Sequence, residues 1–173
     1  MHVDVLEKGW VWVVGLLTAA MLGAIFYTAL ALGVNPPSKQ IVTIDSTRLH
    51  LTPEFAESNL GVKKNADGSL LVTVVATRYG FYPQHVEVPA GTPVTFRFAT
   101  PDVLHGLHIP GTNVDTMVIP GYISEVSTVI DYDSVRKVAR MEGEKAHLPL
   151  FCNEYCGLGH HFMWSRVTVV PKA

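Results

Sequence analysis

The chain is short of charge. Only 16% of its 173 residues are Asp, Glu, Lys or Arg, against roughly 25% in an ordinary soluble chain. Neither sign dominates. Thirteen Lys and Arg stand against fifteen Asp and Glu, so the basic surplus of a nucleic-acid binder is missing. Cysteine is scarcer still: two of them cannot staple a chain of this length, which excludes a disulfide scaffold. With 48% apolar residues and a formal net charge of −2, the signature of disorder is absent too. The length allows one domain with an appendage rather than two full domains.

The charge deficit is local. No charged residue lies between Lys8 and Lys39, and Trp10 to Leu32 is almost wholly apolar. As a helix rising about 1.5 Å per residue, that run spans ~35 Å, enough to cross a hydrocarbon core of roughly 30 Å. Trp10 and Trp12 open it where an interfacial aromatic belt would sit, and Pro36-Pro37 closes it. Gly15, Ala19 and Gly23 recur every four residues, a small-residue stripe that suits either a docking helix or lipid-facing filler. A cleaved signal peptide is the competing reading, since Ala29-Leu30-Ala31 resembles a cleavage site. Against it, the run is too long for an h-region, and Asp4 and Glu7 beside Lys8 do not make a basic n-region. The expectation is a permanent transmembrane anchor over residues 1–38. Lys8 on one side and Lys39 with Arg48 on the other leave its orientation open.

Residues 39–66 lack clear periodicity and read as a linker carrying at most a helical turn or a strand. Residues 67–173 read as one β domain. Short β-branched or alternating runs predict strands at 70–76, 85–88, 94–98, 125–130, 148–151 and 166–170. Gly- and Pro-bearing turns between them point to a sandwich or barrel. Arg136 to His147 is expected to be a charged insertion between strands. Tyr79, Phe81 and Tyr82 form an aromatic cluster whose plain role is to fill the core.

Both cysteines fall in a Cys-x3-Cys-x3-His-x2-Met pattern: Cys152, Cys156, His160 and Met163. Taken singly, these residues have ordinary uses as a disulfide, a cap and a core filler. Taken together, two thiolates, an imidazole and a thioether select a soft metal. Zinc gains little from a thioether, whereas copper accepts all three ligand types. A mononuclear blue-copper site uses a single Cys. The second thiolate is explained if both bridge two copper ions and a further His comes from elsewhere. His105 and His108, just after the 94–98 strand, are the candidates.

The cysteine loop, the Pro-Asp-Val-Leu-His-Gly-Leu-His segment at 101–108 and the single N-terminal anchor with its Glu7-Lys8-Gly9-Trp10 entrance carry a resemblance. They are similar to subunit II of haem–copper cytochrome c oxidases, most nearly the B-family (ba-type) enzymes, over almost the whole chain. The resemblance implies a cupredoxin-like Greek-key β-sandwich or barrel preceded by one N-terminal transmembrane α-helix. It also implies a dinuclear CuA centre, with Cys152 and Cys156 bridging both coppers. His105 and Met163 would then bind one copper, and His160 with the Glu154 carbonyl the other. His108 becomes a core or supporting histidine, His161 a neighbour of the site, and Asp102 a holder of the His105 loop, while some of Tyr79, Phe81 and Tyr82 would lie near the copper on the donor face.

The implied role is electron entry. A cytochrome c donor would supply electrons, which pass to haem in subunit I, where the oxygen chemistry belongs. The anchor would lie in the lipid bilayer of the cell inner (cytoplasmic) membrane, with the N-terminus cytoplasmic and the copper domain periplasmic. Two departures from the family pattern matter. The Arg136–His147 insertion replaces a short Gly-containing turn. Glu154 stands where ba-type members tend to have an amide, and in other branches a Glu there also touches magnesium shared with subunit I. Three other readings stay open: the electron-entry subunit of a CuA-containing nitric oxide reductase, a membrane-anchored copper-delivery protein, and a disulfide-bearing structural domain.

Overall fold

The computed structural model describes residues 4–31 and 42–172, so Pro36, Pro37 and Lys39 lie outside the described residues. The chain divides into two compact units, Met1–Lys39 and Gln40–Ala173. In the first, α1 runs from Val5 to Ala31. Its stretch Val5–Thr28 has a mean hydropathy of 1.9 and is long and apolar enough to cross a membrane. No Pro or acidic residue interrupts it after Glu7, and its apolar side chains are exposed all round. An evenly apolar surface of this kind suits lipid rather than a one-sided protein core.

The second unit is a two-sheet β domain. Its strands in chain order are β1 (Val42–Thr43), β2 (Gly61–Lys64), β3 (Leu70–Thr77), β4 (Gly80–Tyr82), β5 (His85–Pro89) and β6 (Pro93–Ala99). There follow β7 (His105–His108), β8 (Asp115–Val118), β9 (Tyr122–Val129), the short helix α2 (Tyr132–Val135), β10 (Arg140–Glu142), β11 (Lys145–Phe151) and β12 (Trp164–Val170). Among the described residues, one sheet runs β1-β9-β6-β3-β2 with β4 also on β3, and the other runs β5-β12-β11-β7-β8 with β10 on β11. The pairs β3–β6 and β5–β12 are parallel, because the chain crosses between sheets before returning beside an earlier strand. This is the cupredoxin-like sandwich that the resemblance implies.

Period-two patterning builds the core. In β6, Val94, Phe96 and Phe98 point inward, and in β12 Val167 and Val169 do the same from the facing sheet. Phe96 and Phe98 stack at 5.8 Å. All six expected strands are present, most of them a residue or more longer. The others were hidden for physical reasons. β7 reads His-Gly-Leu-His, with neither β-branched residues nor a polar–apolar alternation, and tertiary pairing to β8 and β11 makes it a strand.

The Arg136–His147 stretch corrects the expectation of an insertion between strands: half of it is sheet, holding β10 and the start of β11. Arg140, Met141 and Glu142 pair with His147, Ala146 and Lys145, so the charged stretch extends β11 into a hairpin. The expected linker also holds more than a tether. β1 and β2 join the first sheet, and 3₁₀ turns between Ser46 and Asn59 pack Leu49 and Phe55 against Ala99. Irregular turns carry no single hydrophobic period, so this packing left no trace in the sequence pattern. Arg97 of β6 reaches Glu54 at 2.8 Å, tying the same turns down.

That packing has a measurable consequence. Phe55 is 2% exposed, so Phe55→Ala should destabilise the domain by about 3–5 kcal/mol. A shift of the urea midpoint equivalent to under about 0.5 kcal/mol would instead mark the segment as a surface tether.

Candidate metal centre

The donors arrive from both strand ends and one loop. His105 opens β7, Cys152 follows β11 directly, and Met163 immediately precedes β12. The ladder closes between the last two, with Cys152 N–H donating to the Met163 carbonyl at 3.1 Å. Residues 152–163 therefore form a loop whose two ends are pinned by sheet pairing. Within it, the 3₁₀ turn His160–Phe162 is held by His160 N–H donating to the Gly157 carbonyl at 3.0 Å.

Six donor groups meet there. The Cys152 and Cys156 sulfurs are 3.9 Å apart, far beyond the ~2.05 Å of a disulfide, and both thiols are free. His105 Nδ1 lies 4.0 Å from Cys152 Sγ, and His160 Nδ1 lies 3.6 Å from Cys156 Sγ. Met163 Sδ is 3.6 Å from Cys156 Sγ, and the Glu154 carbonyl is 3.0 Å from Cys152 Sγ. His105, Cys152 and Cys156 have ligand atoms all within 4.8 Å of one another. His105 is 0% exposed and Met163 2%, while His160 is half-buried at the rim. His108 is not among these donors. Its Nδ1 sits 3.5 Å from the Asp115 carboxylate, and its ring packs edge-on against Phe151 at 5.3 Å. His161 is exposed and lies over Phe162.

The donor chemistry calls for a cation. Burial, together with the neighbouring Cys152 thiol, pushes the Cys156 thiol up to about 11. Two thiolates this close cannot both ionise in a dry pocket unless positive charge sits between them. Sulfur, imidazole nitrogen and a carbonyl together suit a soft or borderline ion such as copper rather than a hard one.

Asp102 organises the back of the site. Its Oδ1 is 2.8 Å from His105 Nε2 and accepts from Val103 N–H at 2.6 Å and the Thr100 hydroxyl at 2.9 Å. Its Oδ2 accepts from Arg78 N–H at 2.8 Å. Burial works to raise its pKa, but hydrogen bonds, with that to His105 first, outweigh it and hold the carboxyl below the usual range. The carboxylate at Nε2 fixes the proton there and turns the Nδ1 lone pair toward the thiols.

Further supports surround the loop. Tyr79 lies over the cysteine loop, so close that a Cβ at Gly159 would meet its ring at 2.6 Å and one at Gly157 its hydroxyl at 2.7 Å. Gly157 also has φ +128°, a backbone conformation that favours glycine. Gly159 has an ordinary φ of −90°, so it is needed for room rather than for the turn. A Cβ at Gly106 would collide with Asn153. Asn153 in turn donates to Asp115 at 3.0 Å, fastening the loop to β8. Tyr79 lies near the donor loop, as the resemblance implies for part of its aromatic cluster, whereas Gly106 and Asp115 carried no signal at all. Of the aromatic cluster, Phe81 does fill the core, whereas Tyr79 and Tyr82 are 40% and 48% exposed.

Asp102→Ala would leave the Arg78 and Val103 N–H groups without their acceptor. The metal-free chain should lose about 1–2 kcal/mol, read as a lowered urea midpoint, and unchanged stability would deny Asp102 this organising role.

No protein-family model matches the chain. It is 33% identical over 165 residues to a cytochrome c oxidase subunit 2 of Thermus thermophilus, covering 94% of this chain and 90% of that protein. It is 35% identical over 137 residues to a second Thermus thermophilus cytochrome c oxidase subunit 2, covering 79% and 92% respectively. A chain of a haem–copper terminal oxidase dimer solved by cryo-EM shares the fold, with a TM-score of 0.65 and 24% identity over 94% of this chain and 98% of that one.

Proposed function

This chain belongs to the cytochrome c oxidase subunit 2 family, and we propose from that membership that its β domain is the electron-entry module of the oxidase, built around a dinuclear copper centre. Cys152, Cys156, His105, His160, Met163 and the Glu154 carbonyl would hold the two ions. The observation that carries this reading is the convergence of two buried thiols, two imidazole nitrogens, a thioether and a carbonyl on one pocket. When bound, the copper pair would supply outer-sphere one-electron transfer from a cytochrome c donor toward haem in subunit I.

The chain's own residues set the conditions for that chemistry. Sheet pairing at both ends of the loop fixes the ligands, so little rearrangement follows a change of charge. Asp102 holds His105 with its lone pair inward. Tyr79 covers the backbone around Gly157 and Gly159, and Met163 closes the pocket floor against water. The surface over the loop carries a broad apolar share: Tyr155, Leu158, Phe162 and Trp164 are each more than half exposed, beside the exposed Asn153, Glu154 and His161. A patch of this kind would receive the donor through desolvated apolar contact rather than by strong steering. The apolar helix α1 would anchor the subunit in the membrane beside subunit I, with the β domain on the periplasmic side and the N-terminus cytoplasmic. The exposed Glu154 carboxyl is free to touch magnesium at a boundary with subunit I.

Metal analysis and EPR on the purified full-length chain test the reading. Two coppers per chain are expected, with one unpaired electron split equally by both nuclei, and one copper or none would overturn it. Cys152→Ser or Cys156→Ser should abolish electron sharing. Met163→Leu should keep the dinuclear signal at an altered potential, because a weak thioether ligand would tune the site more than hold it.

Donor turnover should depend only weakly on ionic strength. A steep fall between low salt and roughly 0.15 M would instead point to charge-steered docking.

A further inference from the structure

On the outer face of the second sheet, one hydroxyl is buried where its neighbours are not. Along β5, β11 and β12 the inward residues Val86, Val88, Ala146, Leu148, Val167 and Val169 are all buried. Their outward neighbours His85, Glu87, Lys145 and Arg166 are exposed. Thr168 faces outward with them, yet it is 0% exposed. Two imidazoles meet on it from the flanking strands. His85 Nε2 is 2.8 Å from its Oγ1, and His147 Nδ1 is 2.9 Å from the same atom. On the far side of the second ring, Glu142 Oε2 sits 3.1 Å from His147 Nε2.

Proton bookkeeping assigns every role in this chain of groups. An ionised Glu142 only accepts, so a neutral His147 carries its proton on Nε2 and presents a bare lone pair at Nδ1. The Thr168 hydroxyl donates to that lone pair and accepts from His85 Nε2–H. His147 is thus held by a carboxylate in the tautomer of a metal-ligating histidine, the arrangement found behind imidazole ligands in general. His85 is exposed, and moving its proton to Nδ1 turns a second lone pair to the same point.

We propose that His85 and His147 form a second metal site, distinct from the copper pocket, for a divalent ion that prefers imidazole, such as zinc. The ion would seat between His85 Nε2 and His147 Nδ1, replacing their hydrogen bonds to Thr168, with water completing its shell. Two neutral imidazoles select borderline ions and reject magnesium or calcium, which prefer oxygen. An open groove lined by Glu142, Glu144, Lys145 and His147 reaches the His147 ring, and His85 on the other side is exposed. Lys145 is drawn aside by Glu87 at 2.9 Å, which leaves the Glu142 carboxylate to His147.

Zinc titrated calorimetrically into the copper-loaded full-length chain tests this. One ion per chain is expected, lost in His85→Ala and in His147→Ala, and bound roughly ten- to a hundredfold more weakly in Glu142→Gln. Thr168→Val, which removes the hydroxyl and keeps both rings, should still bind zinc. Nitrogen-15 shifts should move at His147 Nδ1 and His85 Nε2 on addition of zinc. Equal zinc uptake by the wild type and a His85→Ala/His147→Ala variant would overturn the proposal, as would uptake abolished only by replacing His160 or His161. The comparison is between variants that share one copper pocket, so its outcome is separate from that of the copper reading.

Discussion

Two buried thiols held 3.9 Å apart can shed both protons only against a cation. Much of the β domain answers to that constraint. The sulfurs cannot be brought together by the loop alone, because a loop this short and glycine-bearing has many shapes available to it. The sheet pairing of Cys152 with Met163, the Tyr79 ring over the turn and the Asn153–Asp115 bond remove those alternatives one by one. What is left is a donor set already in place before any ion arrives. Such preorganisation is what a centre that changes charge repeatedly without changing shape requires.

His105 shows how far this support extends. It comes from a different strand, and its orientation depends on Asp102, which depends on the Arg78 backbone at the end of β3. Ala99, at the end of β6, rests on Phe55 and Leu49 from the 3₁₀ segment. The histidine is thus braced through three layers: a carboxylate, a loop and a small satellite core. Residues 42–64 serve the metal pocket without touching it.

The anchor, the principal strands and the cysteine loop could be read directly, because each leaves a local pattern: an uncharged run, an alternation, a spacing. The choice of His105 over His108 could not. Both stand in one short segment, and only the resemblance separated them. In the fold the difference is plain, since His105 opens β7 facing the thiols while His108 ends it beside Asp115. β7 itself and the β10–β11 hairpin stayed hidden because their residues favour strands only in partnership. Gly106 was opaque for a related reason. Its importance lies in what approaches it, and close approach is a property of the folded chain.

The placement of His105 bears on how the subunit matures. A nascent chain that has made only the β11–β12 hairpin already holds the cysteines, His160 and Met163, all within one loop. The remaining imidazole is supplied 47 residues away and arrives only when β7 pairs beside β11 in the same sheet. Complete ligation therefore waits on a long-range strand pairing, and whatever ion occupies the finished pocket draws the unfolding equilibrium toward the native state by mass action. Metal supply then acts on the abundance of the subunit as well as on its redox competence, since a starved chain lacks that added hold on its native form.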